Sequence, residues 1–306
     1  MGYNLLTQAP PHRLLNNAPF VITCLLLVDS FHFVFARLLL PHLPPTTSAM
    51  YVLAVSTVEV AVFMGIWDRI SFDVFRRYTW FFLSIGFLVA ASTALSYGSV
   101  AFVDPGTASL LGKMSTLFSL GFGLIWLRER FTAFEWLGVL SAIAGTVIIA
   151  FQPGEFLWLG VLMVVVSTFM YALHAALVKR HGNGISLTDF FLFRLVCTTA
   201  FLFLFSVGRG ELTLPGWQTW LILLVAGTVD VTISRALYYL TLRRLNLSLH
   251  AIILTLSPVA SILWTLILFD ISPTLQQLIG GIAVIGGVLL VSTRQSSGMK
   301  VKEQSQ

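Results

Sequence analysis

Charge is scarce in this 306-residue chain. Asp, Glu, Lys and Arg make up 10% of it, 57% is apolar, and the mean hydropathy is +0.89. A soluble domain typically carries about 25% charged residues, so this chain has too few to cover a water-facing surface. Cysteine is also rare: Cys24 and Cys197 lie in apolar segments without metal-ligand spacing and read as small buried hydrophobes. No Gly-x-x-x-x-Gly-Lys-Ser/Thr loop is present, which argues against direct nucleotide drive. His32, His174, His181 and His250 are scattered without ligand spacing, and no nucleophile–base motif appears. No enzyme, metal or cofactor is therefore expected. The pI near 9.5 does not signal nucleic acid, because the basic residues fall in short hydrophilic gaps and form no stripe.

What is present is length of apolar run. A bilayer core needs about 20 helical residues per crossing. Cutting at charged, Pro or Gly clusters gives ten spans: 18–40, 49–67, 79–101, 105–126, 132–151, 157–178, 188–207, 217–240, 247–269 and 275–293. The first is too long for a signal-peptide core and no small-residue cleavage site closes it, so it is expected to be retained. Gaps such as "VDPG" (103–106), "QPGE" (152–155) and "DISP" (270–273) are short, so successive helices are antiparallel neighbours.

Basic residues set the orientation. With the N-terminus inside, thirteen of the eighteen Lys and Arg fall in cytoplasmic gaps or tails; only Arg37 and Arg209 lie outside, and Lys113, Arg194 and Arg235 are within spans. Both termini are expected in the cytoplasm, and short loops point to a bacterial or archaeal inner (plasma) membrane.

The two halves resemble each other. A shift of 142 residues pairs Ala94 with Ala236, Leu95 with Leu237, Tyr97 with Tyr239 and Ser115 with Ser257, then Thr132 with Thr274, Gly138 with Gly280 and Gly145 with Gly287. Loop charge gives them opposite topology: "RER" (128–130) is inside, while its counterpart "FDIS" (269–272) is outside. The expected architecture is all-α and integral to the membrane: a cytoplasmic segment 1–17, a five-helix repeat 18–151, an inverted five-helix repeat 152–293 and a tail 294–306. Inverted repeats are a transporter architecture with the substrate site near the midplane.

Three stretches now carry a family resemblance: "ALSYGSVAFVDPGTASLL…LIWLRERFTAFEWLGVLSAIAGTVIIA" (94–150), "TDFFLFRLVCTTAFLFLF" (188–205) and "ALYYLTLRRLNLSLHAIILTLSPVASILWTLILFDISPTLQQLIGGIAVIGGVLLV" (236–291). The chain resembles the drug/metabolite transporter superfamily, in its ten-helix EamA-like branch. That resemblance implies that helices one to four of each half line a cavity and that the fifth and tenth are peripheral. Their glycines (Gly138, Gly145, Gly280, Gly281, Gly286 and Gly287) suit close helix approach, and a homodimer through these helices is allowed. Glycine is absent before "RER", and the first half has no counterpart of Arg194.

Asp29, Glu59, Lys113 and Asp230 fall near span centres, whereas Arg194, Arg235, His174 and His250 lie toward cytoplasmic ends. Mutual neutralisation that fixes helix register is one reading; for Arg194, snorkelling to the interface is another. The functional reading is a lined cavity. Asp29 and His32 share a helix face, as do Asp230 and Ser234. Arg235 lies about 140° round the helix from Asp230. A carboxyl at this depth can carry a proton, which makes Asp29, Glu59 and Asp230 candidates for proton coupling. Lys113 shares its face with Gly106, Ser109, Thr116 and Leu117, and is the preferred contact for an anionic group. "GKMSTLF" is also similar to the fourth helix of triose-phosphate-type translocators, but the paired bases of their ninth helix are replaced here by "ILTLSPVAS" (253–261). Pro258 frees the carbonyl of Leu254. Tyr97, Tyr171, Tyr238, Tyr239 and Trp264 can gate or line the cavity.

The expected function is secondary transport, by alternating access, of a small polar metabolite such as an amino acid or related zwitterion. The resemblance favours export, by proton exchange or down a gradient. A lipid or lipid-linked-sugar translocase and a lipophilic-cation exporter are the alternatives.

Overall fold

The structure is a computed structural model that describes residues 18–67, 70–115, 117–118, 121–122, 133–150, 155–182, 185–238 and 257–303. Its helices are α1 Ala18–Asp29, α2 His32–Leu39, α3 Pro45–Trp67, α4 Phe72–Arg77, α5 Thr79–Ser99, α6 Pro105–Gly112, α7 Ala133–Ala150, α8 Glu155–His181, α9 Leu187–Gly208, α10 Trp217–Ala226, α11 Ser257–Phe269 and α12 Leu275–Glu303. Among the described residues, five helices are long and apolar enough to cross a bilayer: Pro45–Ile66, Thr79–Ser99, Trp158–Val178, Thr188–Gly208 and Trp217–Tyr238.

Local chemistry explains where several begin. Pro45 supplies the fixed φ of a first helical turn, and Pro105 does the same behind Asp104, whose carboxylate accepts from the Thr107 amide at 2.9 Å. Ser186 caps α9 by accepting from the Asp189 amide at 3.1 Å, while its hydroxyl donates back to the Asp189 carboxylate at 2.7 Å.

The outside is apolar as well as the core. Val62, Trp80, Leu204, Trp217 and Ile282 are all exposed, while the interior combines Leu, Val and Phe with buried Ser and Thr hydroxyls. Lipid solvates the former, and helix–helix packing uses the latter. α3 and α9 cross in the middle, with α5 against both α9 and α8. α7 and α12 pack closely against each other, and α12 also meets α6, where Gly281 abuts Leu110. Between α7 and α12 a Cβ on Gly145 would meet the Gly280 carbonyl oxygen at 2.5 Å, so only glycine lets these backbones approach.

Two contacts join residues 142 positions apart, the same offset as the internal match. The Thr57 and Thr199 hydroxyls are 3.0 Å apart, and Ser141 Oγ donates to the Ala283 carbonyl at 3.1 Å. Equivalent residues of a two-fold repeat touch each other only where they lie on its rotation axis.

Among the described residues, three of the expected spans are interrupted within their length. The expected span 18–40 is broken at Ser30–Phe31, immediately after Asp29. α6 ends at Lys113, which takes a turn conformation before helix resumes at 114. α10 runs into a π-helical segment, Gly227–Ile233, that contains Asp230.

Candidate functional site

Each interruption carries an ionisable residue that the sequence places near midspan. Irregular backbone at membrane depth is tolerated only where it is buried or lines a cavity, and π-turns concentrate at functional sites. The break at Ser30 is held by the second half of the chain: Ser261 Oγ donates to the Ser30 carbonyl at 2.6 Å, and Trp264 Nε1 donates to Ser30 Oγ at 2.9 Å. The Trp264 ring also stacks on Phe31, centroids 4.7 Å apart. Ser257, Ser261 and Trp264 are spaced four and three apart and so share one face of α11. Ser257 Oγ accepts from Lys113 Nζ at 2.6 Å. One face of α11 therefore touches both Lys113 and the residue following Asp29.

His32 does not share a helix face with Asp29, because the break separates them. Its Nδ1 lies 2.9 Å from Asp230 Oδ2 instead, a pair in which Asp230 is 3% exposed and His32 29%. Tyr97 stands edge-on to the His32 ring at 5.6 Å, within electrostatic reach of Asp230. Its buried hydroxyl has no partner among the described residues. Between Asp230 and Arg235 the chain passes through the π-segment, whose i→i+5 bonding changes the angle per residue assumed for an α-helix. Ser234, one position earlier, is fully buried.

Lys113 sits with Asp29 and Arg235 as the charges acting on it through space. No carboxylate of the described residues lies within ion-pair distance of its ammonium, and the Asp29 carboxylate accepts no hydrogen bond from them. The face of α6 that Lys113 shares is turned inward: Gly106 abuts Ile262, and Ser109 and Leu117 are buried. Thr116 lies outside the described residues.

Glu59 occupies a second position. Both of its oxygens meet threonine hydroxyls of the π-segment, Thr228 at 2.5 Å and Thr232 at 2.6 Å, so Glu59 and His32 grip the same seven residues from two sides.

Sequence reasoning missed a third group. Arg194 is 4% exposed, so it does not snorkel to an interface. Tyr171 lies in the fields of Arg235, Arg194 and Asp29, and its ring is 5.3 Å from that of His174. His174, 5% exposed, lies in the fields of Arg194 and Arg235. The Tyr171 carbonyl is near its ring but not at hydrogen-bond geometry, and neither ring nitrogen has a partner among the described residues. The readable signal was spacing: Tyr171 and His174 are three apart in α8 and so share one side of it. Tyr239, His250, Leu254 and the loop bases Arg243 and Arg244 lie outside the described residues. Among the described residues, no group of three His, Cys, Asp or Glu is placed to hold a metal ion.

Comparison with known proteins agrees with this geometry. The sequence profile of the EamA-like transporter family matches residues 19–151 and again 158–293. An uncharacterized transporter of Schizosaccharomyces pombe is 23% identical over 236 residues, covering 71% of this chain and 69% of its own. The uncharacterized transporter YdfC of Bacillus subtilis is 26% identical over 194 residues, covering 61% of this chain and 62% of its own. A crystal structure 18% identical in sequence superposes with a TM-score of 0.64 over 91% of this chain and 98% of that one, a likeness of fold alone. With the family profile matching both halves, the chain belongs to the EamA-like transporter family, and it is a multi-pass membrane transporter.

Proposed function

We propose that the chain is a secondary transporter that exports a small polar metabolite, an amino acid or related zwitterion, across the inner membrane. Ten helices, as two inverted five-helix repeats over 18–151 and 152–293 with both termini cytoplasmic, alternate about a central site. The observation that carries this reading is the coincidence of charge with broken backbone: Asp29, Lys113 and Asp230 each sit at a helix interruption. Discontinuous helices near the midplane form transporter sites in many inverted-repeat folds. The axial Thr57–Thr199 contact supports a fulcrum between the halves. Asp29, Glu59 and Asp230 are the proton-coupling candidates, with Glu59 and Asp230 already linked through the π-segment. Lys113, His32, Arg235, Tyr97, Tyr239 and Trp264 complete the substrate-binding set. A homodimer would use the lipid-facing sides of α7 and α12.

One observation favours a rival. An open cleft of about 390 Å³ between α3, α5 and α9 is lined by Thr46, Ala94, Leu204, Phe205, Gly208 and Arg209. An apolar wall ending in an arginine suits an amphiphile, as a lipid translocase requires. Counterflow in proteoliposomes separates the two. Exchange of preloaded amino acids, with no scrambling of labelled lipid, is the expected result; lipid scrambling without solute exchange overturns the proposal.

A further inference from the structure

We infer that His32 takes up and releases the coupled proton at its Nε2 atom, and that Asp230 is the positioning residue that keeps that atom free to do so. This rests on the transporter reading above and deepens it, moving the proton from the carboxylates to an imidazole that bridges the two halves.

The geometry of the pair comes first. His32 Nδ1 lies 2.9 Å from Asp230 Oδ2, and since a carboxylate only accepts, the ring hydrogen is assigned to Nδ1. A hydrogen on Nδ1 leaves Nε2 as the acceptor, which is how a carboxylate fixes a histidine tautomer. Nε2 is turned away from Asp230 and makes no hydrogen bond to the described residues. Two rings hold the imidazole in this orientation: Phe33 stands edge-on at 5.1 Å and Tyr97 at 5.6 Å.

Burial separates the roles. The Asp230 side chain is 3% exposed and that of His32 29%, so a proton from water reaches the imidazole and not the carboxylate. The elements packed against α2 and the π-segment carry few other charges: Asp29 at the end of α1, Glu59 on α3 and Lys113 at the end of α6, with Tyr97 on α5 as the adjoining phenol. Arg37 lies on α2 itself and donates to the Val100 carbonyl, and Arg235 follows the π-segment; α10 and α11 carry no charge. Glu59 is engaged by the Thr228 and Thr232 hydroxyls and Lys113 by Ser257. Among the described residues, Asp230 alone lies within ion-pair distance of the imidazole.

The proton balance is closed within the pair. One proton from water bonds the Nε2 lone pair and makes the ring an imidazolium, while Nδ1–H stays donated to Asp230. Loss of the same proton from Nε2 restores the neutral ring. Histidine suits the task because its ordinary charge change falls between about pH 5 and 8. The consequence reaches across the molecule, since His32 belongs to the first family match, 19–151, and Asp230 to the second, 158–293. The contact between halves alternates between a hydrogen bond from a neutral ring and an imidazolium–carboxylate pair, the stronger of the two. Proton loading therefore holds Gly227–Ile233 more firmly to the first half, and release loosens it, which biases the arrangement of the halves.

The first test needs no substrate. It is nitrogen NMR of the full chain, with isotope-labelled histidine, in phosphatidylethanolamine–phosphatidylglycerol vesicles; the His32 signals are those missing from His32→Gln or His32→Asn. Nδ1 is expected to keep its hydrogen while the Nε2 signal moves across about pH 5 to 8. Asp230→Asn is expected to lose the tautomer preference. A hydrogen on Nε2 with Nδ1 titrating, or no change over that range, overturns the assignment.

The second test joins the proton to transport, in vesicles loaded with pyranine and offered each of the twenty L-amino acids. An imposed gradient, acid inside, is expected to raise wild-type uptake of at least one of them several-fold and to alkalinise the lumen as it enters. Whatever exchange His32→Gln retains is expected to lack both responses. Asp230→Asn keeps the imidazole and is expected to show both at a lower rate, with a displaced pH profile. Gradient-driven uptake that survives in His32→Gln and disappears in Asp230→Asn makes Asp230 the carrier and overturns the inference. If no amino acid moves in wild type, the transport reading falls, and the nitrogen signals alone decide where the proton sits.

Discussion

Two polar clusters in the same bilayer region behave in opposite ways. Between α5 and α8, Ser92, Ser96 and Ser167 form a closed hydroxyl knot. Ser92 Oγ lies 3.0 Å and Ser96 Oγ 2.6 Å from Ser167 Oγ, and Ser92 and Ser167 each also reach the other's backbone carbonyl at 2.9 Å. All three serines are buried and uncharged. Elsewhere, by contrast, Tyr97 and His174 keep buried polar atoms without partners among the described residues, and Lys113 meets a neutral hydroxyl with no described carboxylate at ion-pair distance. Buried polar groups are normally satisfied, so each exception asks for an explanation. The serine knot needs no ligand. On the proposed reading, the charged centre is where a ligand binds.

Breaking the charged centre is expected to give the largest functional effect. Lys113→Met should reduce counterflow by about a hundredfold or more, the scale of losing a charge-assisted contact made to a substrate. It should not reduce thermal stability, because it removes an ammonium from membrane depth.

Asp230→Ala removes the partner of His32 from the π-segment. It should lower transport about tenfold and destabilise the chain by about 1–3 kcal/mol, read as a lowered melting temperature. Here function and stability fall together, unlike at Lys113.

Gly145→Leu drives a side chain into the Gly280 carbonyl and the Val284 amide. Overpacking of this kind costs about 1–3 kcal/mol. Transport per folded molecule is expected to be unchanged, since Gly145 faces α12 and not Lys113. The smallest effect is expected from Ser167→Ala, which opens the knot: about 0.6 kcal/mol of stability, as for other interhelical hydrogen bonds in membranes, with the same KM for counterflow.

The contrast also explains what was legible in the sequence. Asp29, Lys113 and Asp230 were visible because a charge stands out within an apolar run, and two contacts, Thr57–Thr199 and Ser141–Ala283, join residues at the 142-residue offset. The break after Asp29 was not visible. "LVDSFHFV" (27–34) contains neither Pro nor Gly, and the interruption is held by Ser261 and Trp264, more than two hundred residues away. The π-segment was hidden for the same reason, since "GTVDVTI" (227–233) reads as ordinary helix until Glu59 and His32 are placed against it. Partners distant in sequence were unreadable throughout: His32 was grouped by spacing with Asp29, three residues away, while its hydrogen-bond partner Asp230 is 198 away. Arg194 was misread because depth along a span does not report which way a side chain faces.

The most direct measurement of the central claim, that Lys113 contacts substrate, is melting temperature and amino-acid counterflow on one preparation each of wild type and Lys113→Met. The account expects the variant to melt at or above the wild-type temperature and to transport nothing measurable. A variant that melts well below wild type, yet exchanges substrate at a wild-type rate below that temperature, would make Lys113 a structural counter-ion and contradict it.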